Sequence, residues 1–263
     1  MLSTRTASSV AEICLTRAIF NLPTVPPAIK ITNMIKAILF DFNGVIINDE
    51  AIQMKAYQEV LKNEGVDLTE TDYYAALGMN DRTLVIWAFK NAGKTIENGK
   101  IEQLVDAKTA KWKEIIEDDL PLFEGIGGFI EKMSREFTLG IVSMAERRAI
   151  DFVLEKGGIA KYFSTIVSAD NATKCKPDPE CFRIGFRQLD AIRTSQGHLP
   201  MTHGECLVIE DSPPGIVGAR NANLPALGVT NTVSAAELRA AGAGAVASDL
   251  RDWMPESIRR VFV

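Results

Sequence analysis

The sequence predicts an α/β fold in which a parallel sheet carries helices on both faces and an all-helical segment interrupts the sheet. Apolar runs rich in β-forming residues alternate with segments of helical periodicity, a pattern typical of parallel sheets. One long stretch, residues 51–118, shows helical periodicity alone. The predicted strands are residues 35–40, 138–142, 164–168, 206–209 and 225–229.

The helical stretch begins soon after the first predicted strand. Ile52, Ala56 and Leu61 fall on one face of an amphipathic helix. Residues 84–89 are apolar nearly all round, so they are expected to form the central helix of a small bundle. The same period continues through residues 101–116.

The remaining predicted helices follow the later strands. They span residues 146–156, 179–189 and 215–222. Gly157 after the first of them and a proline at the start of the second are ordinary stop and start signals. Residues 191–205 are polar and are predicted to form a solvated loop.

Length and composition exclude several classes of protein. With 263 residues, 46% of them hydrophobic, the chain can form one large domain or an ordinary domain with an insertion. A net charge of −5 without a basic and aromatic cluster predicts no nucleic-acid partner. No apolar run approaches the length of about eighteen residues that a membrane span needs. The cysteines lack paired spacing, which favours a reducing, cytoplasmic compartment.

Residues 1–33 differ in composition from the rest of the chain. They hold many Ser and Thr, a single acid, Glu12, and the turn-forming run 23–27. One interpretation is an organellar transit peptide. The other is a start assigned upstream of Met34, which directly precedes the first predicted strand. We predict that this extension is disordered or absent from the native protein.

The most informative segment is DFNGVIINDE, residues 41–50, which follows the first predicted strand directly. A carboxylate at a strand tip, followed by a glycine that lets the chain turn, presents an accessible nucleophile. Asp41 and Gly44 have this arrangement. Asn43 followed by Gly44 is also the commonest signal for a two-residue hairpin turn, so this segment alone leaves both interpretations open.

Three further segments follow in order along the chain. The run 138–142 ends at Ser143, and Lys176 lies in the sequence KPDPE just before a predicted helix. The run 206–209 ends in Glu210 and Asp211, adjacent acids that an ordinary buried strand has no reason to carry. Ligands of open α/β sheets collect at the carboxyl ends of strands, so these positions are expected to share one crevice.

Taken together, the four segments resemble the ordered motifs of the haloacid dehalogenase-like hydrolases, in the branch that contains β-phosphoglucomutase and phosphoglycolate phosphatase. The resemblance implies a Rossmann-like parallel sheet core, residues 34–50 and 119–263, with an inserted all-helical cap domain, residues 51–118. It also implies that residues 48–51 and 118–125 are hinges.

The resemblance implies a role for each core motif. Asp41 would attack phosphorus to form an aspartyl phosphate. Mg²⁺ would be bound by Asp41, Asp211 and the backbone carbonyl of Asn43, while Glu210 would orient a metal ligand or a metal-bound water.

The phosphate contacts implied by the resemblance come from two other segments. Ser143 and the amide of Met144 would donate hydrogen bonds to the phosphate, and Lys176 would supply its counter-charge. A buried structural ion pair is the alternative role for Lys176. In the cap, residues 78–84 resemble a substrate-contacting loop, so Arg82 could meet a second phosphate or a carboxylate; a solvent-facing arginine is the alternative.

Asn43 departs from the family pattern, which usually has a second aspartate there as general acid and base. An amide cannot exchange a proton in that way. The first hypothesis is a phosphatase that is slow or is rescued by Asp49 or Glu50. The others are a phosphomutase, whose phosphoenzyme should resist water, and a phosphate-binding or regulatory protein. A dehalogenase has less support because it does not need the pair Glu210 and Asp211.

The sequence therefore predicts a Mg²⁺-dependent phosphatase of small phosphate monoesters, of the sugar phosphate or phosphoglycolate type. The expected partner is a small phosphorylated metabolite, with neither nucleic acid nor membrane. A monomer or small homo-oligomer is expected.

Overall fold

The computed structural model describes residues 34–262. Its core is a six-stranded parallel sheet with the strand order β3-β2-β1-β4-β5-β6. The strands are β1 (Ala37–Phe40), β2 (Thr138–Val142), β3 (Phe163–Val167), β4 (Cys206–Glu210), β5 (Ala226–Val229) and β6 (Ala245–Ala247). The expectations for residues 1–33 lie outside the described residues.

Helices cover both faces of this sheet and fill the segment between β1 and β2. They are α1 (Glu50–Lys62), α2 (Glu70–Ala75), α3 (Asp81–Asn91), α4 (Asn98–Ile116), α5 (Ile126–Ser134), α6 (Arg147–Lys156), α7 (Glu180–Ser195), α8 (Pro213–Asn221), α9 (Ala235–Ala241) and α10 (Pro255–Val261).

The central strand β1 shows why the sheet is buried on both faces. Ile38 and Phe40 belong to one apolar core, whereas Ala37 and Leu39 belong to the core on the opposite face. Successive strand residues point to opposite sides, so an unbroken apolar run serves two layers of helices. The predicted α/β fold with a parallel sheet is confirmed.

Helices α1 to α4 form a separate apolar cluster, which we call the helical cap. Tyr57 and Leu61 of α1 pack with Leu84 and Phe89 of α3 and with Leu104 of α4. These residues lie on the faces that the 3.6-residue period predicts. The inserted all-helical cap is therefore also confirmed.

The two chain segments that join the cap to the sheet lie side by side. Asn48 N donates to Pro121 O at 2.7 Å, and Phe123 N donates to Ile46 O at 3.2 Å. The predicted hinges thus contact each other; whether they bend stays a prediction.

One predicted loop is partly helical. Helix α7 continues to Ser195 rather than ending at residue 189. Its last turn is held to the sheet because Arg193 Nη1 donates to Thr138 Oγ1 at 3.1 Å. The polar composition of 191–205 therefore marked an exposed helix end as well as a loop. Among residues 34–262, no helix combines the length and the apolar character that crossing a bilayer requires.

Candidate active site

The predicted motifs meet at the carboxyl edge of the sheet. Strand β1 lies between β2 and β4, so the residues that follow these three strands are neighbours. Asp41 follows β1, Ser143 follows β2, and β4 ends in Glu210, which precedes Asp211. These segments are distant in sequence, so the order of the strands in the sheet is what brings them together.

Gly44 is required by the close approach of the loop after β1 to Asp211. Its φ is +70°, a conformation that other residues rarely adopt, and a Cβ there would lie 1.8 Å from Asp211 Oδ2. Asn231 Nδ2 also donates to Gly44 O at 2.7 Å. The chain then continues into α1. The turn is therefore a strand-to-helix connection rather than the two-residue hairpin that the sequence left open.

Lys176 is the buried cation of the site. Its Nζ lies 3.0 Å from Asp41 Oδ1 and 2.6 Å from Glu210 Oε1. Burial lowers the pKa of Lys176, but the two carboxylates outweigh burial, so its pKa is raised above the ordinary value. The ion-pair and phosphate-binding interpretations are compatible, since the same ammonium group faces the cleft.

Three carboxyl groups cluster at this edge of the sheet, and two of them, Asp41 and Glu210, contact Lys176. Asp41, Glu210 and Asp211 each offer an oxygen within 4.8 Å of the others. Burial raises the pKa of Asp41 to about 8 despite Lys176. Burial and the charges of Glu210 and Asp41 raise the pKa of Asp211 well above its usual range. Two buried carboxyl groups that resist ionisation form a donor set that a hard divalent cation would stabilise.

Glu210 has less freedom to bind a metal than Asp41 and Asp211 have. Its Oε2 accepts hydrogen bonds from Asp211 N, Ser212 N and Ser212 Oγ, each at 2.9 Å, and its Oε1 faces Lys176. Burial raises its pKa, but Lys176 and Ser212 outweigh burial and hold the pKa below the ordinary value. These bonds suit a residue that positions Lys176 and the backbone around Asp211.

The predicted phosphate-binding residues line the same cleft. Ser143 is 1% exposed, and its Oγ accepts a hydrogen bond from Ala145 N at 3.1 Å. Met144, in the same loop, and Lys176 contribute to the lining next to Asp41. The structure thus brings the core positions named from the sequence to one crevice, except that Glu210 lies buried behind Lys176 and does not line it.

Asn43 is bound to a buried acid. Its Nδ2 lies 3.0 Å from both carboxylate oxygens of Asp49, which is 0% exposed. Asp49 also accepts from Gln53 Nε2 at 2.9 Å and from Trp112 Nε1 at 2.8 Å. Burial raises the pKa of Asp49, and these donors oppose the increase. Asp49 is therefore enclosed behind Asn43 rather than presented to the cleft.

Glu50, the next residue, does line the cleft. Its carboxylate accepts a hydrogen bond from the Tyr73 hydroxyl at 2.6 Å. Burial, together with the negative charge of Asp49, raises the pKa of Glu50 to about 7. Of the two acids proposed from the sequence to replace a base at position 43, Glu50 lines the cleft and Asp49 does not.

The cap wall of the cleft differs from the expectation for Arg82. Arg82 lies on an exposed surface, where it pairs with Glu102 and donates to Asn98 Oδ1 at 2.9 Å. The reason is helical geometry, because the preceding residue of α3, Asp81, occupies the cleft-facing position. Lys108 Nζ lies 2.9 Å from Asp81 Oδ1 and 3.0 Å from Oδ2. Sequence reasoning missed this pair; its signal was an acid just before one predicted helix and a lysine within the next.

The cap lies over the sheet edge in this structure. Asn80 N donates to Cys175 Sγ at 3.3 Å, next to Lys176. On the other side, Arg148 Nη2 is 2.6 Å from Asp106 Oδ1. The cleft between cap and sheet has a volume of about 810 Å³, including the open space at its mouth.

Known proteins share this architecture. A family model described as haloacid dehalogenase-like hydrolase matches residues 38–229. A solved structure of β-phosphoglucomutase from Clostridium difficile superposes with a TM-score of 0.75 at 21% identity, covering 87% of this chain and 97% of that chain. At 21% sequence identity, this similarity shows that the two proteins share a fold and shows nothing more.

Curated relatives cover most of this chain. Protein SUPPRESSOR OF QUENCHING 1, chloroplastic, from Arabidopsis thaliana is 29% identical over 225 residues, which are 82% of this chain but 20% of that protein. A phosphorylated carbohydrates phosphatase from Thermotoga maritima is 23% identical over 191 residues, 72% of this chain and 82% of that protein.

Proposed function

Because this chain belongs to the haloacid dehalogenase-like hydrolases, we propose that it is a Mg²⁺-dependent phosphatase of small phosphate monoesters. The observation that carries the proposal is the position of Asp41 at the tip of β1, 3.0 Å from buried Lys176 and clustered with Asp211. The Thermotoga maritima relative, whose name gives phosphorylated carbohydrates as its substrates, supports sugar phosphates as the class.

The proposed reaction has two displacements at phosphorus. Asp41 Oδ attacks the phosphoryl group, the bond from phosphorus to the ester oxygen breaks, and the alcohol leaves after gaining a proton. Water then attacks the aspartyl phosphate, which releases inorganic phosphate and regenerates Asp41. Lys176, Ser143 and the Met144 amide would stabilise charge on the phosphoryl oxygens.

Mg²⁺ would be held by Asp41 and Asp211, with the Asn43 carbonyl as the third protein ligand, and would neutralise charge on the phosphate. The residues fit such an ion, because carboxyl oxygens of Asp41, Glu210 and Asp211 lie within 4.8 Å of one another and a hard divalent cation prefers oxygen ligands. An adjacent cation favours the ionised carboxylate, which is the form of Asp41 that can attack.

Proton transfer is assigned to Glu50 in this proposal. The amide of Asn43 cannot exchange a proton, and it is held by Asp49. Glu50 faces the cleft, and its pKa of about 7 suits a group that gives a proton to the alcohol and later takes one from water.

A phosphomutase is the second candidate, and Asn43 is the observation that favours it. Without an aspartate at that position, hydrolysis of the phosphoenzyme should be slow, so that return of the phosphoryl group to a sugar phosphate competes with water. Bound ligand without turnover is the outcome expected of a regulatory protein.

The test is phosphate release from a panel of sugar and glycerol phosphates with Mg²⁺. We expect turnover in the wild type and none in Asp41→Asn, which keeps the shape of the nucleophile but not its charge. Interconversion of two sugar phosphates without release would identify the mutase. Absence of both reactions, with the ester bound, would contradict an enzymatic function.

We propose a cytoplasmic location. The cysteine pattern favours the cytoplasm. An organellar location is the alternative, since the name of the Arabidopsis thaliana relative places that protein in the chloroplast. A monomer or small homo-oligomer stays a prediction.

A further inference from the structure

We propose that the cap side of the cleft selects monophosphate esters whose alcohol carries hydroxyl groups and no second anion. This inference rests on the proposed function and narrows its substrate class. It disfavours bisphosphates, phosphoglycolate and phosphoglycerate as substrates.

The cap side of the cleft is the part that the alcohol would occupy. Asp41, Lys176 and the loop of Ser143 are assigned to the phosphate, which places the rest of the substrate toward α1, α3 and α4. Side chains of Glu50, Asp81 and Lys108 line that region together with Tyr57 and Tyr73.

Each cation of the cleft already has an anionic partner. Lys108 is 5% exposed, and its ammonium group contacts both oxygens of Asp81. Lys176 is held by Asp41 and Glu210. Among residues 34–262, no further Lys or Arg lines this cleft, and Arg82 is held outside by Glu102. At the phosphate position, the proposed Mg²⁺ would offset the carboxylates that pair with Lys176. No such ion is proposed beside Lys108, so a second phosphate or a carboxylate would lose its water there without gaining a free cation.

The same region also carries excess negative charge. Glu50 is hydrogen-bonded to Tyr73 and forms no ion pair with any residue that the structure describes. Glu146, at the edge of the cleft, is balanced by Arg148 at 2.8 Å. Ionised Glu50 would repel a second anion on the substrate, whereas carboxyl oxygens of Glu50 and Asp81 can accept hydrogen bonds from hydroxyl groups in either protonation state of Glu50.

The inference separates the two candidate functions. A phosphomutase that passes through a bisphosphate must hold a second phosphate on the cap side, and the paired cations there do not provide for it. Selection for a single phosphate agrees with hydrolysis.

The test compares glycerol 3-phosphate with 3-phosphoglycerate, which differ by one CH₂OH in place of a carboxylate. We expect kcat/KM to be at least about tenfold higher for glycerol 3-phosphate, equivalent to about 1.4 kcal/mol. Fructose 6-phosphate and fructose 1,6-bisphosphate form a second pair with the same expected direction. Equal or reversed preference in both pairs would overturn the inference.

Variants test the assigned charges. Asp81→Asn frees Lys108 and should shift the ratio toward 3-phosphoglycerate by at least about fivefold, which is close to 1 kcal/mol. Glu50→Gln is nearly isosteric and keeps an acceptor for Tyr73, but it loses the proposed proton transfer. Its effect is therefore measured on the ratio of the dissociation constants of the two esters, which should shift in the same direction if Asp81→Asn does not fold. Arg82→Ala is the matched control and should leave the ratio unchanged. A ratio that moves with Arg82 and not with Asp81 or Glu50 would place the charge recognition on Arg82 and refute the inference.

A binding readout keeps this test separate from the proposed function. Dissociation constants of the same esters are measured with Asp41→Asn in Mg²⁺. Preferential binding of glycerol 3-phosphate without turnover in the wild type would support the pocket and refute the phosphatase. Turnover with the opposite preference would support the phosphatase and refute the pocket. If neither ester binds or reacts, both proposals fail.

Discussion

At the scale of single residues, the amide at position 43 and the acid at position 49 form a matched pair. An amide can donate to a buried carboxylate, whereas a second carboxylate there would repel it. Asn43 is thus explained by what it contacts, both oxygens of Asp49 at 3.0 Å. An aspartate at position 43 would therefore require a matching change at Asp49.

Asn43→Asp alone is expected to lower the free energy of unfolding by about 2–4 kcal/mol, because it sets two carboxyl groups against each other in a buried site. The double variant Asn43→Asp/Asp49→Asn reverses donor and acceptor, so it should recover most of this loss and release phosphate faster than the single variant. Urea unfolding and phosphate release measure the two effects. A single variant that is as stable as the wild type would refute the pairing.

The pKa of Glu50 makes stability depend on pH. Burial first, and Asp49 second, raise it from 4.5 to about 7 in the folded protein. The folded state therefore binds this proton more tightly than the unfolded state. The contribution of Glu50 to stability is fully present below about pH 4.5 and is lost as the pH rises through about 7.

Glu50→Gln removes that titration. The free energy of unfolding of Glu50→Gln minus that of the wild type should increase by about 1–2 kcal/mol as the pH rises from 5 to 8. Urea unfolding across this range, with exposed Glu124→Gln as the control, measures the difference. Parallel curves for wild type and Glu50→Gln would show that Glu50 does not titrate there.

At the scale of secondary-structure elements, Asp49 connects the sheet to the cap. It precedes α1, accepts a hydrogen bond from Gln53 of α1 and another from Trp112 of α4, and is bound by Asn43 from the loop after β1. The linker between sheet and cap is therefore fixed by buried polar contacts at the place where cap movement would begin.

Trp112→Phe tests this connection. Phe keeps most of the packing against Phe152 but leaves Asp49 without the indole donor. The free energy of unfolding should therefore fall by about 1–3 kcal/mol. We also expect KM to rise more than kcat falls, because the cap is held less firmly over the substrate. Trp87→Phe in α3, which is half-buried, is the control for loss of ring size. Equal effects of the two changes would argue against a role for the Asp49 contact.

At the scale of the whole molecule, a parallel sheet and a cap enclose one cleft whose charges are incompletely balanced. Asp41, Glu210 and Asp211 cluster together, and the ammonium group of Lys176 contacts only Asp41 and Glu210 among them. Burial keeps two of these carboxyl groups from ionising readily. Metal binding should therefore stabilise the entire fold.

Mg²⁺ at about 100 times its dissociation constant should stabilise the wild type by about 2.7 kcal/mol. For a chain of this size that corresponds to roughly 5–10 °C in Tm. Asp211→Asn should abolish this increase and, without metal, should be at least as stable as the wild type, because it removes a buried acid next to Glu210 and Asp41. Thermal unfolding with Mg²⁺ and with a chelator measures both. An equal Mg²⁺ effect on both proteins would place the ion elsewhere.

The sequence by itself determined the sheet, the helical cap and the core motifs. Apolar runs and helical period report burial directly, and parallel strands bring Asp41, Ser143 and Asp211 to one edge once their order is known. The extent of α7 was less visible, because its last turn is held by a tertiary contact of Arg193.

The tertiary structure decided how the charged side chains pair. The rotation of α3 about its own axis decides whether Asp81 or Arg82 faces the cleft. The packing of α1 and α4 around Asp49 decides which residue Asn43 contacts. Local sequence carries little information on such contacts, because each contact joins residues that lie far apart along the chain. Charge pairing is therefore decided by the packing of the folded chain.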